Sequence, residues 1–276
     1  MERAKVNGVE LEYEVKGSGE PVLLISPVVP DGFLPFLSAP ALVDRYRLIR
    51  YHRRGWCRST HTSAPVTISD HAADAAALLE HVEVARAHVA GHSSGGPIAM
   101  QLAFERPDLV HSLALLEPTL FSVPSAQSVF DRAASSLQAY SDGNHEAAVA
   151  GFLTVVSGLE WETCRAVMDE HVPGGIAQAI QDADTFFGIE LPSLGTWGFG
   201  AEQAATVTQP VLSVLGSDTD PLWVEVAGLL RSWFPQVEDL TVHGVGHLLH
   251  MQSPPAVVRG VAAFLRRNAM AGAVMS

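Results

Sequence analysis

The chain has 276 residues, 47 % of them hydrophobic and 17 % charged, with a formal net charge of −13. That balance supplies a sizeable core and excludes a disordered chain, and the negative charge excludes nucleic acid and anionic membranes, whose phosphates it would repel. No apolar run reaches the roughly 18 to 20 residues of a membrane span, and the first six residues lack a signal peptide's apolar stretch, so a soluble cytoplasmic protein is expected.

In chain order, residues 9–15 alternate apolar and polar, as in a half-exposed strand. A turn at 17–21 leads to an unbroken apolar run at 22–25, the pattern of a strand covered on both faces. Residues 46–51 give the next strand, stopped at Gly55. Ser69 and Asp70 cap a predicted helix running to about His81. A short strand at 87–90 ends in Gly91, a helix follows over 95–105, and 110–116 is again a strand. From 117 to 205 no buried strand shows; 125–140, 146–157 and 160–171 read as helices, followed by a Gly- and aromatic-rich stretch. Strands return at 210–216 and 237–242, and 255–267 is a closing helix. The alternation predicts an α/β chain with a mostly parallel sheet flanked by helices, its core 1–117 and 206–276 interrupted by a helical cap at 118–205.

The chemistry concentrates at Gly91-His92-Ser93-Ser94-Gly95, a G-x-S-x-G pentapeptide between a short strand and a helix. Small residues there permit a sharp turn that lifts the serine hydroxyl to a helix N-terminus, where an oxyanion is favoured. A serine hydroxyl needs an adjacent base. His247 is the candidate, in the Gly-flanked loop His243-Gly244-Val245-Gly246-His247 before the last helix. His243 and His250 read as surface or supporting residues, and His92 as a packing or tuning residue. The three late histidines lack the Glu or Cys companions of a zinc site, and Cys57 and Cys164 show no metal spacing.

Taken together, the 22–25 strand with its following loop, the turn Tyr51-His52-Arg53-Arg54-Gly55-Trp56-Cys57-Arg58-Ser59, the serine pentapeptide and Gly246-His247 resemble the α/β-hydrolase fold family. The likeness implies acyl transfer to water through an acyl-serine, with no metal and no organic cofactor, under a cap that shapes the pocket. It implies oxyanion donors from the backbone of Ser94 and of the loop Ser26-Pro27-Val28-Val29. Pro27 has no N–H, so Val28 is the expected donor and Val29 the alternative. The loop lacks the His-Gly start common among relatives.

The family's usual acid, three residues past the glycine of the 210–216 strand, falls on Thr219, flanked by Asp218 and Asp220. Glu117, 24 residues after Ser93, resembles the acid position of certain zearalenone lactonases and haloalkane dehalogenases. Glu117 is therefore the expected acid, with Asp220 or Asp218 as alternatives and a salt bridge at the cap hinge as its competing role. Phe186, Phe187, Trp197 and Phe199 either line an apolar pocket or pack the cap together. The expected substrate is a small, mostly apolar ester or lactone. Carbon–carbon hydrolysis, a perhydrolase side activity and a non-catalytic small-molecule receptor stay open, as does a homodimer.

Overall fold

The computed structural model describes residues 1–270. Eight strands form one sheet: β1 (Glu2–Val6), β2 (Val9–Lys16), β3 (Glu20–Ile25), β4 (Tyr46–Tyr51), β5 (Ala87–His92), β6 (Val110–Leu116), β7 (Val211–Gly216) and β8 (Glu238–Val242). Their order is β1-β2-β4-β3-β5-β6-β7-β8. β1 and β2 are antiparallel additions, and every pairing from β4 onward is parallel. Among the described residues no helix is long and apolar enough to cross a membrane.

Side-chain alternation explains why the central strands read as continuous apolar runs. Leu23 and Ile25 of β3, Val89 of β5, and Leu113 and Leu115 of β6 face one layer with the helices Ile68–His81 and Gly95–Glu105. Val22, Leu24, Ala90, Ala114 and Leu116 face the other, under the helix Pro254–Arg267. Both faces are covered, so both sets are apolar.

Three of the departures from the sequence expectation concern elements of the core. β1 was not expected, yet Ala4 and Val6 are buried while Arg3 and Lys5 face solvent. Asn7 and Gly8, both at positive φ (45° and 76°), form its two-residue turn to β2, the backbone such tight hairpins require. The helix Ile68–His81 is capped by Thr67, whose hydroxyl accepts from Asp70 N while the Asp70 carboxylate accepts from Thr67 N. A helix over Pro221–Trp233 follows β7, burying Leu222, Trp223, Val226, Ala227 and Leu230 at helical spacing.

Between β6 and β7 lie the helices Ala126–Ser141, His145–Ser157, Trp161–His171 and Gly175–Gln181, then a wide turn of π-helix at Phe186–Glu190. The buried faces of the last three helices and of the π-helical turn share a third apolar cluster with Val28, Val29 and Trp56 of the core, whereas Ala126 and Val129 of the first helix join the cluster that contains Leu23 and Leu115. Leu115 is fully buried in the central strand, whereas Val224 is half exposed. Leu115→Ala is expected to cost about 3 kcal/mol, and Val224→Ala under about 0.5 kcal/mol, in urea unfolding followed by circular dichroism.

Candidate active site

Two neighbouring strands end in the same unusual way. Ser93, just past β5, and Glu117, just past β6, both hold positive φ (52° and 41°) without being glycine. The two turns are stitched to each other: Ser93 N donates to Leu116 O at 3.1 Å, and Thr119 N donates to Ser93 O at 3.0 Å. Glu117 N extends the stitching to Val214 O of β7, at 3.1 Å. The glycines flanking Ser93 are sterically required. A Cβ on Gly91 would lie 2.5 Å from Gly95 O, and one on Gly95 would strike the Ile25 carbonyl.

The Glu117 side chain has no exposed surface. Its Oε1 accepts from Gly216 N at 2.8 Å; its Oε2 accepts from the Thr219 hydroxyl at 3.0 Å and from His247 Nδ1 at 2.8 Å. Burial pushes this carboxyl above the usual carboxylate range, while the Gly216 and Thr219 donors pull it back. Burial likewise holds His247 below the ordinary imidazole value of 6.5, against the opposing pull of the Asp220 charge. A neutral imidazole with Nδ1–H bound to a carboxylate leaves Nε2 free to accept a proton.

The imidazole packs against two rings. Trp223 stacks on His247 with centroids 3.9 Å apart and planes 5° apart, and the His92 ring lies 4.7 Å away, tilted by 38°. His92 Nε2 donates to His247 O at 2.9 Å, which fixes the backbone as well as the ring. His250 is completely buried between His92, at 4.3 Å, and Phe33, at 5.4 Å. His243 stays exposed. Among the described residues, no group of three or more His, Cys, Asp or Glu side chains is placed to hold a metal ion.

The competing carboxylates are engaged elsewhere. Asp218 accepts from its neighbour Ser217 at 2.7 Å. Asp220 caps the Pro221–Trp233 helix through Leu222 N, at 3.0 Å, and pairs with Arg132 of the cap. Thr219, at the family's usual acid position, instead supports Glu117. Ser93 Oγ makes its hydrogen bond to Thr119 Oγ1, at 3.3 Å, and not to His247. The Ser94 and Val28 amides make no hydrogen bond among the described residues.

Ser93 opens into a narrow pocket of about 30 Å³. Apart from Ser93 and Thr119 its walls are apolar, including Phe121, Phe130, Phe152, Leu191 and Trp223. The four aromatics expected there lie elsewhere. Phe186 and Phe187 are buried in the cap cluster, where Phe186 backs Phe152 at 4.6 Å. Trp197 and Phe199 stack on each other against the sheet's helices, and Trp197 Nε1 donates to Gln101 Oε1 at 2.7 Å. The wall residues Phe130, Ala133 and Leu137 recur at the spacing of one helix face, so their signal was periodicity and not aromatic density. Trp223 was missed because the helix carrying it was missed.

Two pH dependences follow. In the hydrolase reading proposed below Nε2 is the base, and burial is expected to keep it neutral down to below pH 6.5; a His247 ring that titrates at or above 6.5, followed by its ring-proton resonances, would contradict the buried, neutral imidazole. His71, His92, His247 and His250 are all held below 6.5 by burial. The unfolded chain therefore takes up protons first as pH falls, and their contribution to stability, present above about 6.5, is lost progressively below it. The urea midpoint should fall from about pH 7 to about pH 5, and His250→Phe should flatten that slope by about one proton.

Comparison with known proteins completes the site. The sequence profile of the alpha/beta hydrolase fold matches residues 21–254. A protein of Azorhizobium caulinodans named carbamate hydrolase RutD is 35 % identical over 116 residues, 42 % of this chain and 44 % of that relative. The matched stretch is thus under half of that relative's length. A thermophilic esterase from Thermogutta terrifontis superposes with a TM-score of 0.78 at 20 % identity, covering 98 % of this chain and all of the other. The enol-lactonase from Burkholderia xenovorans LB400 superposes with a TM-score of 0.76 at 20 % identity, covering 96 % of this chain and all of the other. At that identity the likeness concerns the fold alone, but the profile covers most of the chain. The chain belongs to the alpha/beta hydrolase fold family.

Proposed function

We propose that this protein is a carboxylic ester hydrolase that opens a small, uncharged, mostly apolar ester or lactone through an acyl-serine intermediate. The observation that carries the reading is the fully buried Glu117–His247 hydrogen bond of 2.8 Å, built one strand away from a serine held at positive φ. The names of the relatives, which include an esterase and a lactonase, support the same reaction class.

In this reading the Ser93 hydroxyl turns from Thr119 to His247 Nε2, gives up its proton and attacks the carbonyl carbon. Glu117 holds the imidazole by Nδ1–H and stabilises its charged form. The amides of Val28 and Ser94 receive the oxyanion. His247 then returns the proton to the departing alkoxide, leaving acyl-Ser93. A water deprotonated by the same nitrogen cleaves the acyl-enzyme and regenerates the hydroxyl. The apolar walls accept an uncharged acyl or ring portion, since a charged group would lose its hydration there with no partner.

The test is a panel of nitrophenyl esters and lactones with three sets of variants. Ser93→Ala should lower kcat by about 10³-fold or more and abolish fluorophosphonate labelling. Glu117→Gln should cost at least about a hundredfold, while Asp218→Asn and Asp220→Asn each cost under about tenfold. Near-normal Glu117→Gln with a collapse in Asp220→Asn would move the acid to the β7 loop. Failure of the wild type to label or turn over any ester, with tight binding of a small apolar ligand, would replace the enzyme by a receptor.

A further inference from the structure

The loop after β3 lacks a histidine to brace it, yet its carbonyls are not idle. Arg53, 3 % exposed, sends Nη1 to Ser26 O and to Pro27 O, the latter at 3.3 Å. The rest of the same guanidinium forks onto Glu190: Nε to Oε1 at 3.0 Å and Nη2 to Oε2 at 2.8 Å. Glu190, 2 % exposed, ends the π-helical turn of the cap and also accepts from Trp56 Nε1 at 2.7 Å. The surrounding turn is tied to the cap twice more, by Thr185 Oγ1 to Gly55 O at 2.6 Å and Cys57 N to Asp182 Oδ2 at 2.8 Å.

We infer that Arg53 is a positioning residue that aims the Val28 amide at the oxyanion, and that the cap holds Arg53 in place through Glu190. The inference rests on the hydrolase reading above for the role of Val28. The geometry is direct. Pro27 O and Val28 N–H belong to one peptide unit, and the described chain has no cis peptide. In a trans unit the carbonyl and the N–H point to opposite sides. Pulling Pro27 O toward Arg53 therefore turns Val28 N–H the other way. The preceding backbone packs against the start of the helix that follows Ser93, since a Cβ on Gly95 would meet Ser26 O at 2.9 Å. A planar fork with five donors serves two loop carbonyls and a carboxylate at once; a lysine ammonium is a single point and cannot span them. Arg53 touches no substrate in this scheme and acts only through the loop.

Arg53→Lys keeps the charge that buried Glu190 needs and so tests aim instead of folding. The expected result is a fall in kcat of about ten- to a hundredfold with KM within about threefold, since the oxyanion contact is made mainly in the transition state. In ¹⁵N-labelled protein the Val28 amide resonance should shift. Arg54→Lys, whose arginine pairs with Asp74 away from the loop, should leave both readouts unchanged. The double variant Arg53→Ala with Glu190→Gln removes the charge pair together, and millimolar guanidinium should restore part of its kcat where methylammonium does not. Wild-type kcat in Arg53→Lys, an unmoved Val28 amide, or losses that only track the folded fraction would overturn the inference. If wild-type Ser93 fails to label with fluorophosphonate, the hydrolase reading falls by itself, and the Val28 amide still decides whether Arg53 orients the loop.

Discussion

A carboxylate without exposed surface sits at the end of β6, and much of the site's arrangement follows from what keeps it there. Charge-assisted hydrogen bonds contribute about 1.5–3 kcal/mol each, against a desolvation cost of several kcal/mol for a buried ion. Glu117 collects three donors: a strand-end amide, a hydroxyl and an imidazole N–H. Those three come from β7's last residue, the loop after it and the loop after β8. Satisfying one carboxylate thus draws together the ends of three strands and fixes the tautomer of His247. Trp223 then packs flat against the ring, and the His92 ring lies beside it.

The parts of this design that could be read from the sequence are those with short-range signals. The G-x-S-x-G turn carries its own steric logic, and the parallel strands announce themselves as unbroken apolar runs. Glu117 was legible because Pro118 stops the strand and the usual acid position holds a threonine. What that threonine does was not legible, because a hydroxyl donating to a carboxylate 102 positions earlier leaves no local trace. The same holds for Arg53. Its partners sit 26, 27 and 137 positions away, and nothing in the tripeptide around it distinguishes a buried fork from a solvated arginine. The pocket was misplaced for a related reason: aromatic density at 186–199 signals burial, and burial in a cap is achieved equally well against its own helices or against the core.

The cap is joined to the core through polar contacts near both sides of the pocket. On one side Arg53–Glu190 and the Gly55 and Cys57 contacts dock the segment 182–190. On the other, Arg132–Asp220 and Ser125–Glu225 bind the first cap helix to the helix that carries Trp223. The apolar cluster between cap and core supplies attraction without direction, whereas these bonds supply register. Asp220 serves as a helix cap and a cap anchor at once.

The paired left-handed residues at 93 and 117 carry one more implication. Their backbones are bonded to each other and to β7, so the spacing of Ser93 and Glu117 is set by the pairing of β5, β6 and β7 and by no flexible loop. The loop 217–220 is then mechanically separable from the placement of the Glu117 backbone. Insertions, grafted sequences or new chain ends could be accommodated there without displacing it.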